Sequence, residues 1–394
     1  TFDVSVVTNG KETFSREPRI EKYSTLYPTL DIVSIGAGGG TIVSADAELG
    51  TIHVGPQSAG SNPGPACYGF GGDRATITDA AVLLGYVNPN YFNGGRMQLQ
   101  PERSREVFET VAKDLSMDVI DAAQGAYEII NAHMSDLIVG MTVRRGLNVN
   151  DYVLFSFGGA GPVHVAYMGA TLGAKKAIIP VSSSVYSALG LATSPIGHTF
   201  IKYDYRALPI TADVLNNNIG GLRDRVRREL EDGGAERDSM DIRVSLDMKY
   251  MLQINTVPME LPLKEIYDET DAAELGERFD AAYTELYGAG SAYPEAGRAV
   301  VSYMVKGEGV VHDFEPKSEP LGDADPSGAR KEERQAYFKD NGFIATAIYD
   351  FARLTPGNEI AGPAVIETDE TTIVIPPSFK GTLDGFKNIE VIRL

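Results

Sequence analysis

The stretch YVLFSFGGAGPVHVAYMGATLGAKKAIIPV (152–181) limits the fold more than any other part of the chain. Its first apolar run, YVLFSF (152–157), reads as a strand buried on both faces. Three glycines and a proline follow. Then comes VHVAYMGATLGA, read as a helix, and a second buried run, KKAIIPV (175–181). Strand, glycine turn, helix, strand is a βαβ unit, which calls for a parallel or mixed sheet. The expected class is α/β.

A longer helix precedes this unit. Ile120, Ala123, Tyr127, Ile130, Met134, Leu137, Ile138 and Met141 recur at steps of three and four within 117–145. Asp118 is placed to cap its start and Gly146 to end it. At the start of the chain, TFDVSVVTNGKETF reads as a strand, a turn at Asn9-Gly10 and a second strand. The chain does not begin with Met and opens inside a strand, so a fragment or processed chain is expected. DIVSIGAGGGTIVSAD (31–46) sets Gly36, Gly38, Gly39 and Gly40 between β-branched runs. The turn-forming stretch after it, VGPQSAGSNPGPACYGFGGDRATITDA, is too long for an idle loop.

Beyond residue 200 the pattern changes. A charged helix is expected over 213–234, strands near 241–263 and a helix near 270–287. EPKSEPLGDADPSGARKEER (315–334) reads as a polar linker, and the last sixty residues as short β runs separated by turns. Three domains are therefore expected: 1–200, an α+β region over 201–312 and a C-terminal β domain over 313–394.

Composition excludes several functions. A net charge of −19 over 394 residues argues against a nucleic-acid or anionic-membrane footprint. Glu229, Glu231 and Asp232 interleave with the arginines of the charged helix, so that face reads as solvated. The single cysteine, Cys67, allows no intrachain disulfide and no thiolate metal cage, which suits a cytoplasmic setting. The five histidines lack metal-binding spacing. No apolar run is long enough to span a membrane.

The glycine-bearing segments after strands are where ligand chemistry is expected. Glycine removes the Cβ that holds a ligand off the backbone, and freed N–H groups bind anions. GGAGP (158–162) fits neither the dinucleotide fingerprint nor the P-loop, so it does not name its ligand. TFDVSVV resembles the second phosphate loop of the actin-like ATPases. The whole chain resembles the hydantoinase A / 5-oxoprolinase / acetone carboxylase family. That resemblance is carried by DIVSIGAGGGTIVSAD, VGPQSAGSNPGPACYGFGG, TITDAAVLLGYVNPNYFNGGRM, RRGLNVNDYVLFSFGGAGPVHVAYMGATLG, PVSSSVYSALGLATSP and PGNEIAGPAVIETDETTIVIPP.

The resemblance implies an actin-like nucleotide lobe, with the α+β region and the β domain after it. It implies ATP as cofactor, with Mg²⁺ (or Mn²⁺). Gly158, Gly159 and Gly161 would back the adenosine, and Thr1 and Asp3 would sit at the phosphate–metal end. Asp3 would be both a catalytic and a metal-binding residue. Gly38, Gly39 and Gly40 would join the cofactor-binding residues and border the acceptor pocket, with Asp31 as a catalytic acid/base. His164, near a helix N-terminus, would be neutral and could bond a nucleotide or a loop carbonyl. Each has a plainer reading. Asp3 could be a strand-end carboxylate, Asp31 a turn carboxylate, His164 a structural histidine and Cys67 a packed, inert thiol. Arg145 could meet an anion or serve as a helix C-terminal partner.

The family's N-terminal lobe and the two glycines expected before Thr1 lie outside this sequence, so half of the ATP site is expected from elsewhere. In MKYMLQ (248–253), Leu252 stands where many members carry glycine. The activity implied is phosphorylation of a carbonyl, enol or bicarbonate oxygen. Ketone carboxylation is the first expectation, cyclic-amide hydrolysis the second, and a non-catalytic scaffold the third. The partners implied are a larger hydantoinase B-type subunit and a small-molecule substrate, in a hetero-oligomer.

Overall fold

The computed structural model describes residues 1–15, 19–20, 23–24, 29–311 and 314–394. They form two compact units: Thr1–Ala188 with Pro316–Leu394, and Leu189–Glu315.

In the first unit, β1 (Phe2–Val4) pairs antiparallel with β2 (Val33–Ile35), setting Asp3 opposite Ser34. The turn expected at Asn9-Gly10 joins Val7–Thr8 to Lys11–Glu12, with both turn residues at positive φ. β3 (Thr41–Asp46) and β4 (Thr51–Ser58) form a hairpin with a bulge between Val54 and Ser58. Three helices follow: α1 (Ile77–Leu83), α2 (Pro101–Leu115) and α3 (Val119–Val143). The Asp118 side chain caps α3 by accepting from the Ile120 N–H, as expected, and Gly146 lies just beyond its end at φ +68°. The apolar stripe of α3 buries Ala123, Tyr127, Ile130 and Met134.

The βαβ unit is present. β5 (Leu154–Phe155) leads through the glycine turn to α4 (Gly161–Leu172), then to β6 (Ala177–Ile179), which pairs parallel to β5. One expectation fails. YVLFSF is not buried on both faces, because β5 is an edge strand and Val153, Phe155 and Phe157 are 39–45% exposed. A continuous apolar run identifies a strand, but it does not say whether another strand lies beyond it. A short helix, α5 (Tyr186–Thr193), carries the chain across the boundary between the two units.

The second unit is a four-stranded antiparallel sheet with two helices. Its elements are β7 (Ile196–Ala207), α6 (Ala212–Asp232), β8 (Met240–Tyr250), β9 (Val257–Leu261), α7 (Glu269–Tyr287) and β10 (Arg298–Gly309). The strand order is β7-β10-β8-β9. β8 and β9 alternate buried and open positions, and the buried row packs with Leu215, Ile219, Val226, Leu275 and Phe279 from the helices. Tyr250 donates to Asp280, which also pairs with Arg298.

The remaining strands are β11 (Arg330–Phe338), β12 (Gly342–Asp350), β13 (Glu359–Ala361), β14 (Ala364–Glu367), β15 (Thr372–Ile375), β16 (Phe379–Leu383) and β17 (Ile389–Arg393). They do not stand apart as the separate domain expected over 313–394. β17 pairs with β6, giving the sheet β5-β6-β17-β16-β13 inside the first unit. The boundary expected between 312 and 313 lies outside the described residues. The polar stretch 315–334 also runs into β11 at Arg330. Among the described residues no helix is long and apolar enough to cross a membrane.

Candidate functional site

Both glycine loops of the first unit reach one cavity of about 330 Å³. The loop at 158–162 turns the chain from β5 into α4. Gly158 has φ +89°, a conformation that side-chain residues rarely adopt, and its N–H donates to the Ser183 carbonyl at 2.7 Å. The Gly159 carbonyl accepts from Thr371 Oγ1 at 2.7 Å, so the turn between β14 and β15 clamps the loop. The loop at 36–40 is fixed from α1, where the Thr78 N–H donates to the Gly39 carbonyl at 2.7 Å.

Part of the cavity wall is aromatic. Tyr68 and Phe92 lie with ring centroids 5.6 Å apart, and Tyr91 stands beside them. Tyr91 donates to Asp369 at 2.9 Å, a bond that pushes its phenol up to about 12. The Lys331 ammonium sits 3.5 Å from the Tyr91 ring centroid.

Two buried carboxylates frame the site. Glu367, 2% exposed, ends β14 on the cavity wall. It accepts from Lys331 at 2.8 Å, Arg334 at 2.7 Å and Asn88 at 2.9 Å. Burial works against its charge, but these donors hold its carboxyl below the usual range. Asp79, fully buried, is the third helical residue of α1 and forms a capping box with Thr76. It also accepts from the Ala66 and Cys67 N–H groups and from Ser104 Oγ. The loop that carries Tyr68 is thereby tied to the start of α1.

His164 is 2% exposed and borders the cavity. Its ring stacks on Tyr127 at 4.9 Å, and Nδ1 lies 3.0 Å from Asn131 Oδ1. The Asn131 amide nitrogen is already committed to the Tyr127 carbonyl. Oδ1 therefore faces the histidine, and Nδ1 carries the proton. Burial pushes the imidazole pKa down to about 4, so the ring is neutral near pH 7.

The other expected site residues lie elsewhere. Asp3 is exposed on β1, accepting from Thr1 Oγ1 at 3.2 Å and from Ser34 Oγ. Gly38 lies against the Thr1 backbone. Thr1, Asp3, Ser34 and Gly38 thus form a separate cluster that does not border the cavity. Asp31 is ion-paired with Arg145, which also donates to the Met141 carbonyl at the end of α3. Cys67 is fully buried, and burial followed by the nearby Asp79 charge raises its pKa far above the ordinary thiol range. Gly39, Gly40, Gly159 and His164 therefore meet at the cavity, while Gly158 and Gly161 do not line it.

Among the described residues no group of three His, Cys, Asp or Glu side chains could hold a metal. The Asp3 carboxylate and its two neighbouring hydroxyls are hard oxygen donors. They suit a Mg²⁺ ion that keeps most of its waters. Glu367, Asp79, Asn88 and Tyr91 were not singled out by sequence reasoning. The capping-box spacing T-x-x-D at 76–79 could have found Asp79. Glu367 gives no local signal, because its partners lie on β11 and before α2.

The chain is similar to known proteins along its length. The Hydantoinase/oxoprolinase family model matches residues 1–199, and the Hydantoinase/oxoprolinase C-terminal domain model matches 206–393. The chain is 32% identical over its whole length to the acetophenone carboxylase gamma subunit of Aromatoleum aromaticum, covering 55% of that protein. A nucleotide-free acetone carboxylase structure superposes with a TM-score of 0.92 at 30% identity, over 100% of this chain and 57% of that one. The ATP-dependent caprolactamase of Pseudomonas jessenii gives a TM-score of 0.73 at 28% identity, over 99% and 57%. The chain thus spans little more than half the length of these relatives. With both family models matched along nearly its whole length, the chain belongs to the hydantoinase/oxoprolinase family.

Proposed function

We propose that this chain supplies one half of an actin-like ATP site in an enzyme that phosphorylates a carbonyl, enol or bicarbonate oxygen, with ketone carboxylation as its reaction. The observation that carries the reading is the loop at 158–162. At Gly158 a Cβ would meet nothing within 4 Å, and at Gly159 only the Glu370 carbonyl at 3.8 Å. Bare backbone there faces open space at the start of a helix, which is how a nucleotide is approached.

In this reading Gly158, Gly159 and Gly161 back the adenosine. Thr1 and Gly38 stand at the phosphate end, and Asp3, with the Thr1 and Ser34 hydroxyls beside it, would hold the cation. Mg²⁺ (or Mn²⁺) supplies charge neutralisation for phosphoryl transfer. The chain's own part is positioning: the Ser183 and Thr371 contacts fix the loop before any ligand arrives. Asp31 can act as acid/base only after parting from Arg145.

The ketone reading is favoured by the closer superposition on acetone carboxylase than on caprolactamase. The 30% identity to the caprolactamase alpha subunit over 99% of the chain keeps cyclic-amide hydrolysis as the second reading. Either reaction places the chain in a cytoplasmic hetero-oligomer with a larger hydantoinase B-type subunit and the rest of the nucleotide site.

The test is ATP turnover by the native complex with acetone, acetophenone, hydantoin and 5-oxoproline, with and without bicarbonate. Turnover that needs a ketone and bicarbonate supports the carboxylase. Turnover that needs a cyclic amide and ignores bicarbonate transfers the chain to the hydrolases. A complex that never consumes ATP leaves it a scaffold.

A further inference from the structure

The sheet of the second unit has two edges, and they are built differently. β9 is five residues long and sets Pro258 and Glu260 outward. A proline and a charge on a short strand keep a foreign strand off. β7, at the other edge, runs for 12 residues without a proline. Ile201, Tyr203 and Tyr205 stand on it 44%, 77% and 53% exposed. They share the sheet face away from the helices. Ile201 lies opposite Met304, Tyr203 lies opposite Ser302, and the Lys249 ammonium is 5.8 Å from the Tyr205 ring centroid. The alternate row faces α6: Arg225 covers the Phe200 ring, Lys202 reaches the Asn217 carbonyl at 3.4 Å, and Asn218 donates to Asp204 at 3.0 Å. Among the described residues no strand pairs with the free edge of β7.

A long edge with an aromatic row in solvent is a template for another strand. The side chains select which one. Opposite residues of an antiparallel pair lie on the same face, and in a two-fold pair the central residue meets itself. With a second copy of β7 centred on Tyr203, Ile201 falls opposite Tyr205, so the apolar row lies on its own copy. Lys202 then falls opposite Asp204 on both sides of the axis, and Arg206 opposite Phe200. Like charges directly opposite are unfavourable. Centring on Lys202 would set that lysine against itself. Centring on Asp204 would set the aspartate against itself and Lys202 against Arg206. The apolar row and the charges, on opposite faces of the strand, choose the same centre independently.

We propose that β7 is a self-association edge: two copies of this chain pair antiparallel through it, about Tyr203, and join their second-unit sheets into one. The interface is the same patch on both copies, as two-fold symmetry requires. Lys202, which alone would fend off a strand, becomes the residue that fixes the register. The inference uses the second unit only and does not rest on the proposed ATP chemistry.

The experiment is disulfide trapping in the native complex under mild oxidation, read by non-reducing electrophoresis and mass spectrometry. Cys67, the one cysteine of the chain, is fully buried, so a new thiol on β7 reports alone for this chain. Opposite residues of an antiparallel pair have Cα atoms about 4.5–5.5 Å apart, within disulfide reach. Tyr203→Cys is expected to link two copies of the chain at least tenfold more than Thr199→Cys, whose opposite residue is Ala207. Adding Lys202→Glu to Tyr203→Cys is expected to cut the linked fraction at least tenfold, and adding Asp204→Lys as well is expected to restore it. The proposal is overturned if Tyr203→Cys links no copies, if it links them no better than Thr199→Cys, or if Lys202→Glu leaves the yield unchanged. A disulfide from Tyr203→Cys to a different subunit gives the edge another occupant and also overturns it.

Discussion

The loops at 36–40 and 158–162 look alike on paper, yet glycine serves different ends in them. At Gly36 a Cβ would sit 2.4 Å from the Pro56 carbonyl oxygen, and at Gly39 it would sit 2.6 Å from Thr78 Oγ1. Neither residue has positive φ, so these glycines are set by close packing within the protein. At Gly158 the space around a Cβ is open and the backbone itself demands glycine, with φ +89°. The first loop is filled by the chain's own atoms. The second keeps room at Gly158 and Gly159, though at Gly161 a Cβ would meet Ser156 Oγ at 2.9 Å. A glycine count does not separate a packing loop from a ligand loop; what stands where the Cβ would be does.

Four measurements break or sharpen that contrast. The largest effect concerns His164, which backs the second loop. Its folded pKa, about 4, lies below the ordinary value of 6.5. Between those values the unfolded chain binds a proton that the folded one refuses. The stability tied to this group is therefore complete above pH 6.5 and is lost as pH falls toward 4. The loss is on the order of 3 kcal/mol. Urea unfolding at pH 7 and pH 4 measures it, and His164→Gln is expected to flatten the slope. Next is Gly36→Ala, expected to cost about 1–3 kcal/mol through overpacking against Pro56, with little change in nucleotide affinity beyond that. Gly158→Ala is expected to cost roughly 1–2 kcal/mol for left-handed backbone, measured by the same unfolding series. The smallest stability effect is Gly159→Ala, within about 0.5 kcal/mol. Calorimetry on the complex is nevertheless expected to show weakened ATP binding in that variant. If Gly36→Ala weakened ATP binding while Gly159→Ala did not, the assignment of the two loops would be reversed.

Much of the fold was legible because its signals are local. The period of three and four along α3, the turn at Asn9-Gly10 and the order strand, glycine turn, helix, strand all lie within a few residues of one another. The pairing of Ala177 with Val391 has no local signature, so strands expected as a separate domain instead complete the sheet of the βαβ unit. The same limit applied to the site. The glycine loops could be read directly. The Asp31–Arg145 pair spans 114 positions, and the bond between Asn88 and Glu367 spans 279. Chemistry that depends on such pairings appears only once the chain is folded.

The capping box at Asp79 has a mechanical consequence. One carboxylate receives the amides of Ala66, Cys67 and Thr76, so it is both the end stop of α1 and the anchor of the loop bearing Tyr68. Freeing that loop alone would leave a buried carboxylate short of two of its donors. Hydrogen exchange at the Ala66, Cys67 and Thr76 amides therefore reads out one shared acceptor, and Asp79→Asn is expected to lower protection at all three. The cavity wall at Tyr68 and the start of α1 thus share one fastening.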